Sequence, residues 1–289
     1  MEKNINKKMN TMKLAVLASA LIFSSSSSWA SERIISAGAA ITEIIYALNA
    51  ESQLVAVDLT SKTLVKGAYP LVGYHRQLSA ESLMSLTPDR IIGSNEMGPS
   101  STLKLLKQGG VDVDVVNSGE TVKDLLERID EVAALTNKTP AAASLKAEIS
   151  KKVDAIQTHL LTQSTQKKVL FLMIHDGRPA NVAGRNTTAD TVIRLAGAIN
   201  PAANTIEAYK PISAEAMVQM QPDIILLSGR TLSSIGTIDD LLKNMPLLAA
   251  TPAGKNKALA TIDGTALIGG LGLKSIDEAE RLNKVFYQD

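Results

Sequence analysis

From Arg33 onward, short β-branched apolar runs alternate with stretches whose apolar residues recur every three or four positions. This is the pattern of strands separated by crossover helices. Strands are predicted at 33–36, 54–57, 90–93 and 111–116, with helices at 41–48, 80–86, 102–107 and 122–135, which together make one α/β lobe. Thr139-Pro140 reads as an N-cap followed by a first-turn proline, and 141–161 then runs without glycine or proline. Leu145, Ile149, Val153, Ile156 and Leu160 give that segment one apolar face. At 1.5 Å per residue it spans roughly 30 Å, a length that suits a connector between lobes. A second series follows, with strands at 169–174 and 224–227 and helices at 189–195, 214–220 and about 275–286. Residues 181–188 read as a loop entering a helix. The expected fold is therefore α/β: two Rossmann-like lobes, 31–138 and 166–289, joined by a single long connector helix within 139–165.

An internal repeat supports two related lobes. Leu78 to Ser94 reads LSAESLMSLTPDRIIGS and Ile212 to Ser228 reads ISAEAMVQMQPDIILLS, aligned without a gap. Each copy has a serine N-cap, an acidic residue in the first helical turn, a Pro-Asp turn and an apolar strand. Helix capping alone accounts for Glu81 and Glu215; their matched placement also suits a shared outward-facing role.

The first thirty residues read as an export signal. Lys3, Lys7, Lys8 and Lys13 precede an apolar run from Leu14 to Phe23, and Ser28-Trp29-Ala30 puts small residues at −3 and −1. The run is shorter than the roughly 20 residues of a spanning helix, so cleavage after Ala30 and a periplasmic location are expected. The chain has no cysteine, which excludes disulfides, thiolate metal sites and cysteine nucleophiles. Without the first thirty residues the net charge is about −2, against nucleic acid as a partner. The only tryptophan, Trp29, leaves with the signal. No nucleophile elbow, H-E-x-x-H motif or P-loop is present, which argues against an enzyme.

The RIISAGAAITEIIYAL opening at 33–48 and both SAE…PD segments resemble class III periplasmic solute-binding proteins of ABC importers, over essentially the whole mature chain. More narrowly, Gly73-Tyr74-His75-Arg76-Gln77-Leu78-Ser79-Ala80-Glu81 is similar to the segment that carries the iron-ligating tyrosine in haem-specific members. The resemblance implies a monomer that captures haem b between its lobes. It implies delivery to an inner-membrane permease and, through it, an ATPase, downstream of an outer-membrane haem receptor system. It also implies that Tyr74 is the axial iron ligand and that Glu81 and Glu215 dock the permease.

Elementary chemistry suits Tyr74 to that task. A phenolate is a hard anionic donor for ferric iron, and because free phenol titrates near pH 10, iron and a nearby cation must favour the ionised form. Arg76 and Arg230 are candidates for that cation or for pairing with haem propionates. Arg230 follows the apolar run 224–227 and so falls at a strand end, a common ligand position in open sheets. His75 reads as a supporting residue, and His159 as a surface residue. His175 follows a strand end in the second lobe, where some haem-binding relatives present a histidine; both a ligating and a non-ligating His175 stay open. Met97, Met173, Tyr209 and the glycines of 269–272 are possible cleft-lining groups. Ferric siderophore or cobalamin is the alternative cargo, the absence of tryptophan counting against cobalamin.

Overall fold

A computed structural model describes residues 31–174 and 178–287. The signal-peptide reading and His175 therefore lie outside the described residues. Strands β1 (Ile34–Ala37), β2 (Leu54–Val57), β3 (Arg90–Gly93) and β4 (Asp112–Val115) form an all-parallel sheet in the order β2-β1-β3-β4. The second sheet contains β5 (Val169–Met173), β6 (Asn181–Ala183), β7 (Tyr209–Pro211), β8 (Ile224–Ser228) and β9 (Leu259–Ile262), in the order β7-β6-β5-β8-β9. Here β5, β8 and β9 are parallel, and β6 and β7 form an antiparallel edge. One 22-residue helix, Thr139–Leu160, joins the two α/β lobes. It starts one residue earlier than its sequence suggests, with Lys138 at the N-cap and Pro140 in the first turn.

The segment 181–188 is not a loop throughout: it opens with β6, and only at Thr187, whose hydroxyl accepts from the Asp190 amide, does a helix begin. A three-residue edge strand is too short to show a period of two.

Side chains alternate across both sheets. In the first, Ile34 and Ile92 face a core shared with the connector helix, while Ile35 and Ile91 face a separate cluster with Leu83 and Leu106. In the second, Val169, Phe171 and Leu226 face the shared core, and Leu170, Leu172 and Leu227 the opposite layer. The shared core runs from the helix Ala39–Ala47 through Ile149, Val153 and Ile156 of the connector to Leu282 and Phe286 of the closing helix Leu273–Phe286.

Two buried polar contacts fasten the lobes along this seam. Arg128, on the helix Val122–Leu135, is 1% exposed, and its guanidinium donates to the carbonyls of Asn117 and Gly119 in its own lobe. It also donates to Leu271 O at 2.8 Å and Gly269 O at 3.4 Å across the seam. Gly270 has φ +87°, and a Cβ there would sit 2.6 Å from Ser118 O, so only glycine lets this strap approach. The glycines of 269–272, expected as cleft lining, thus serve the joint between lobes. His159 likewise is no free surface residue: its Nδ1 lies 2.6 Å from Asn283 Oδ1 on the closing helix.

The second fastening is Glu43, buried on the first lobe's opening helix, whose Oε2 accepts from the Lys274 amide at 3.1 Å in the first turn of the closing helix. Burial lifts its pKa from 4.5 to about 7, opposed by the Lys274 amide and ammonium. A carboxyl raised in this way stabilises the fold below pH 4.5 and loses that contribution as pH rises through about 7. Glu43→Gln removes the ionisation cost. Relative to the parent, its stability should therefore rise between pH 5 and pH 8, by up to about 3 kcal/mol. Urea midpoints at the two pH values measure this, and a difference that does not change with pH would refute it.

Candidate functional site

Both sheets aim the carboxyl ends of their parallel strands at the candidate site, the usual ligand position in open α/β sheets. In the first lobe the loop after β2 carries the tyrosine motif. Gly73, at φ +87°, makes the left-handed turn that presents Tyr74, and the Gly73 carbonyl accepts from the Leu59 amide at 2.7 Å. Tyr74 is 38% exposed, as are the large apolar side chains of Leu59 (50%) and Leu71 (41%) on the same loop system. Exposed apolar groups beside a phenol suit a flat hydrophobic ligand better than water.

Beneath Tyr74 lies a polar network. His75 is 1% exposed, with Nδ1 2.9 Å from Asp58 Oδ2 and Nε2 3.4 Å from Glu96 Oε2. Asp58 is itself buried and accepts from the hydroxyls of Thr60 and Ser61. Glu96 also pairs with the exposed Arg76. Burial works against charge on the imidazole, but Asp58 and Glu96 outweigh it and lift its pKa to about 9. His75 in turn holds the Glu96 carboxyl below its usual range. The imidazole is held by one hydrogen bond, from Nδ1 to Asp58, with its Nε2 buried beside Glu96, whereas the Tyr74 side chain is exposed.

In the second lobe a hollow of about 860 Å³ opens at the ends of β5, β8 and β9, near the upper end of the roughly 300–1,000 Å³ common for small-molecule sites. Met173, Phe171, Tyr209, Leu267 and Ile268 give it apolar walls. Arg230 lines it from the first turn of the helix Gly229–Ile235 and makes no ion pair with another described residue. Arg281, also in the lining, is paired with Glu278. Phe171 and Tyr209 meet edge to face with centroids 6.4 Å apart. Burial, and then the Glu120 carboxylate, push the Tyr209 phenol up to about 12, so it keeps its proton at neutral pH.

Tyr74 and Arg76 thus stand two residues apart on one loop of the first lobe, and Arg230 lies in the hollow of the second; Tyr74 is not part of that hollow's lining. Glu81 and Glu215 are exposed in the first turns of the helices Ala80–Met84 and Ala214–Met220, capped by Ser79 and Ser213. Asp58 and Glu96 were not legible in the sequence, since nothing local marks a carboxylate that will be buried beside a distant histidine. No cluster of three or more histidine and carboxylate groups that could hold a bare metal ion occurs among the described residues.

Two α/β lobes on one long helix, with the strand ends of both sheets at the candidate site, are the architecture of a solute-binding protein, and residues 34–266 match the periplasmic binding protein family, to which the chain belongs. Its members bind solutes and are not enzymes. Among solved structures it is similar to the periplasmic haem-binding protein HutB of Vibrio cholerae, at 50% identity and TM-score 0.84, covering 89% of this chain and 99% of that one. It is also similar to the periplasmic haem-binding protein RhuT of a Roseiflexus species, at 34% identity and TM-score 0.82, covering 89% and 98%. A vitamin B12-binding protein of Vibrio parahaemolyticus is 26% identical over 218 residues, 75% of this chain and 78% of the relative.

Proposed function

We propose that the protein captures haem between its lobes in the periplasm, ligates ferric iron through the Tyr74 phenolate, and hands the haem to an inner-membrane ABC importer. The observation that carries this reading is Tyr74 itself: an exposed phenol on a glycine turn, on a loop system with exposed leucines, in a protein whose second lobe has a large hollow with apolar walls and an arginine in its lining. Half identity to a haem-binding protein along nearly its whole length supports the cargo. Arg230, in the lining of the hollow and without an ion pair to another described residue, is our candidate for a propionate contact, and Arg76, whose charge is shared with Glu96, is the second. His175 remains a proposed contact from the second lobe. The likeness to a vitamin B12-binding protein favours cobalamin as the second reading, and the lack of tryptophan in the mature chain weighs against it.

Glu81 and Glu215, one on each lobe and both exposed, are proposed to meet basic groups of the permease, setting orientation and encounter rate. One two-stage experiment tests cargo and docking. Haemin titration of the mature chain should give a saturable Soret band with high-spin ferric tyrosinate features, whereas a flat difference spectrum, with cyanocobalamin binding instead, would overturn the haem reading. The loaded Glu81→Ala/Glu215→Ala variant should keep that spectrum but stimulate the reconstituted transporter's ATPase less. Full stimulation would refute the docking role.

A further inference from the structure

Tyr74 is an exposed side chain on a loop, yet a ligand must hold its oxygen in one place. Its hydroxyl has no hydrogen-bond partner among the described residues, and the ring packs on His75, at 4.4 Å between centroids and 55° between planes. His75 is fixed from several directions. Nδ1 meets Asp58 at 2.9 Å, Nε2 faces Glu96 at 3.4 Å, and the backbone carbonyl accepts from the Gly98 amide at 2.9 Å. Asp58 accepts from Ser61 at 2.9 Å; the Ser61 hydroxyl lies 2.8 Å from that of Thr42, which lies 2.7 Å from that of Ser36 on β1. Each of these groups except Glu96 is almost fully buried. A continuous chain of hydrogen-bonded side chains therefore runs from a central strand of the first sheet to the face of the Tyr74 ring.

We propose that His75 is the positioning residue for the iron ligand: hydrogen-bonded to buried Asp58 and with Glu96 beside its Nε2, it braces the Tyr74 ring and sets the direction of its oxygen. The inference deepens the haem reading and rests on it. Packing alone gives no reason for this arrangement. An apolar side chain would fill the space under Tyr74 without burying the Asp58 carboxylate, whose desolvation costs free energy that only a specified geometry returns. Glu96, which faces the same ring, also pairs with Arg76. Groups that hold a metal ligand in place commonly change metal affinity by about 10- to 100-fold when removed.

The test compares the haemin complexes of the unaltered mature chain, His75→Leu and His75→Asn. Asparagine keeps a donor near the Nδ1 position and so retains the Asp58 contact. The readouts are the tyrosinate charge-transfer band, the rate of haem loss to apomyoglobin and the urea midpoint of each apoprotein. His75→Leu should still bind haem, but with a shifted or weakened charge-transfer band and loss on the order of tenfold faster. His75→Asn should fall between it and the parent. Should the leucine variant fail to fold, the asparagine variant decides alone, its band and loss rate departing from the parent's at an unchanged urea midpoint. Parent-like band and loss rate in the folded variants would overturn the positioning role while leaving the haem reading intact. A parent chain without tyrosinate bands would instead overturn the haem reading, and this inference with it.

Discussion

Tyr74→Phe should abolish the ferric tyrosinate charge-transfer band and weaken haem binding by on the order of a hundred-fold, roughly 2.7 kcal/mol. Phenylalanine keeps the ring that packs on His75 and removes only the oxygen, so the effect isolates the iron bond from the shape of the loop. Residual affinity should come from the leucines beside it and the hollow of the second lobe, where apolar walls meet Arg230. Tyr209→Phe is the matched control. Its phenol lies in the hollow but holds its proton to about pH 12, so its removal should leave the charge-transfer band in place. Absorption spectra and haemin titrations of the two variants suffice. An unchanged band in Tyr74→Phe would sink the ligand assignment.

The largest effect on stability should come from Arg128→Met. Methionine fills much of the same volume but leaves the carbonyls of Asn117, Gly119, Gly269 and Leu271 without their shared donor at the seam. A buried unsatisfied group costs about 1–3 kcal/mol, so a loss of about 4 kcal/mol is expected once local relaxation is allowed for. Arg128→Lys should recover little, because an ammonium on a flexible stem does not reproduce a planar fork spread over four acceptors. Urea unfolding of the three proteins measures this, and a loss under 1 kcal/mol in the methionine variant would show that the seam hydrates freely.

How much of this was readable before the fold was known depends on whether the signal is local. Six of the seven parallel strands were legible as short apolar, mostly β-branched runs between helical patterns, and the connector because one apolar face persists over about four turns; β9, four residues at the far edge of the second sheet, was not. Strands β6 and β7 were not, being three residues each at an antiparallel edge with no period to detect. The Tyr74 loop was legible through its motif, while the residues that hold it, Asp58 and Glu96, come from loops after two different strands and meet His75 only when the sheet forms. Arg128 carries the same lesson in a harder form. On a helix bearing many charged residues it reads as a solvated side chain, and its burial is decided by a glycine strap 141 residues further along the chain.

That strap and the core beneath it bear on how such proteins can be recombined. Because the connector's apolar face belongs to both lobes at once, a chimaera joined inside the connector inherits two half-surfaces selected in different contexts. Grafting the second lobe of a siderophore-binding relative onto this first lobe would therefore place its own version of the strap against Ser118 and Arg128, with no room at position 270 for anything larger than glycine. New cargo is better introduced by exchanging the strand-end loops alone, which touch solvent and ligand and leave the seam as it is.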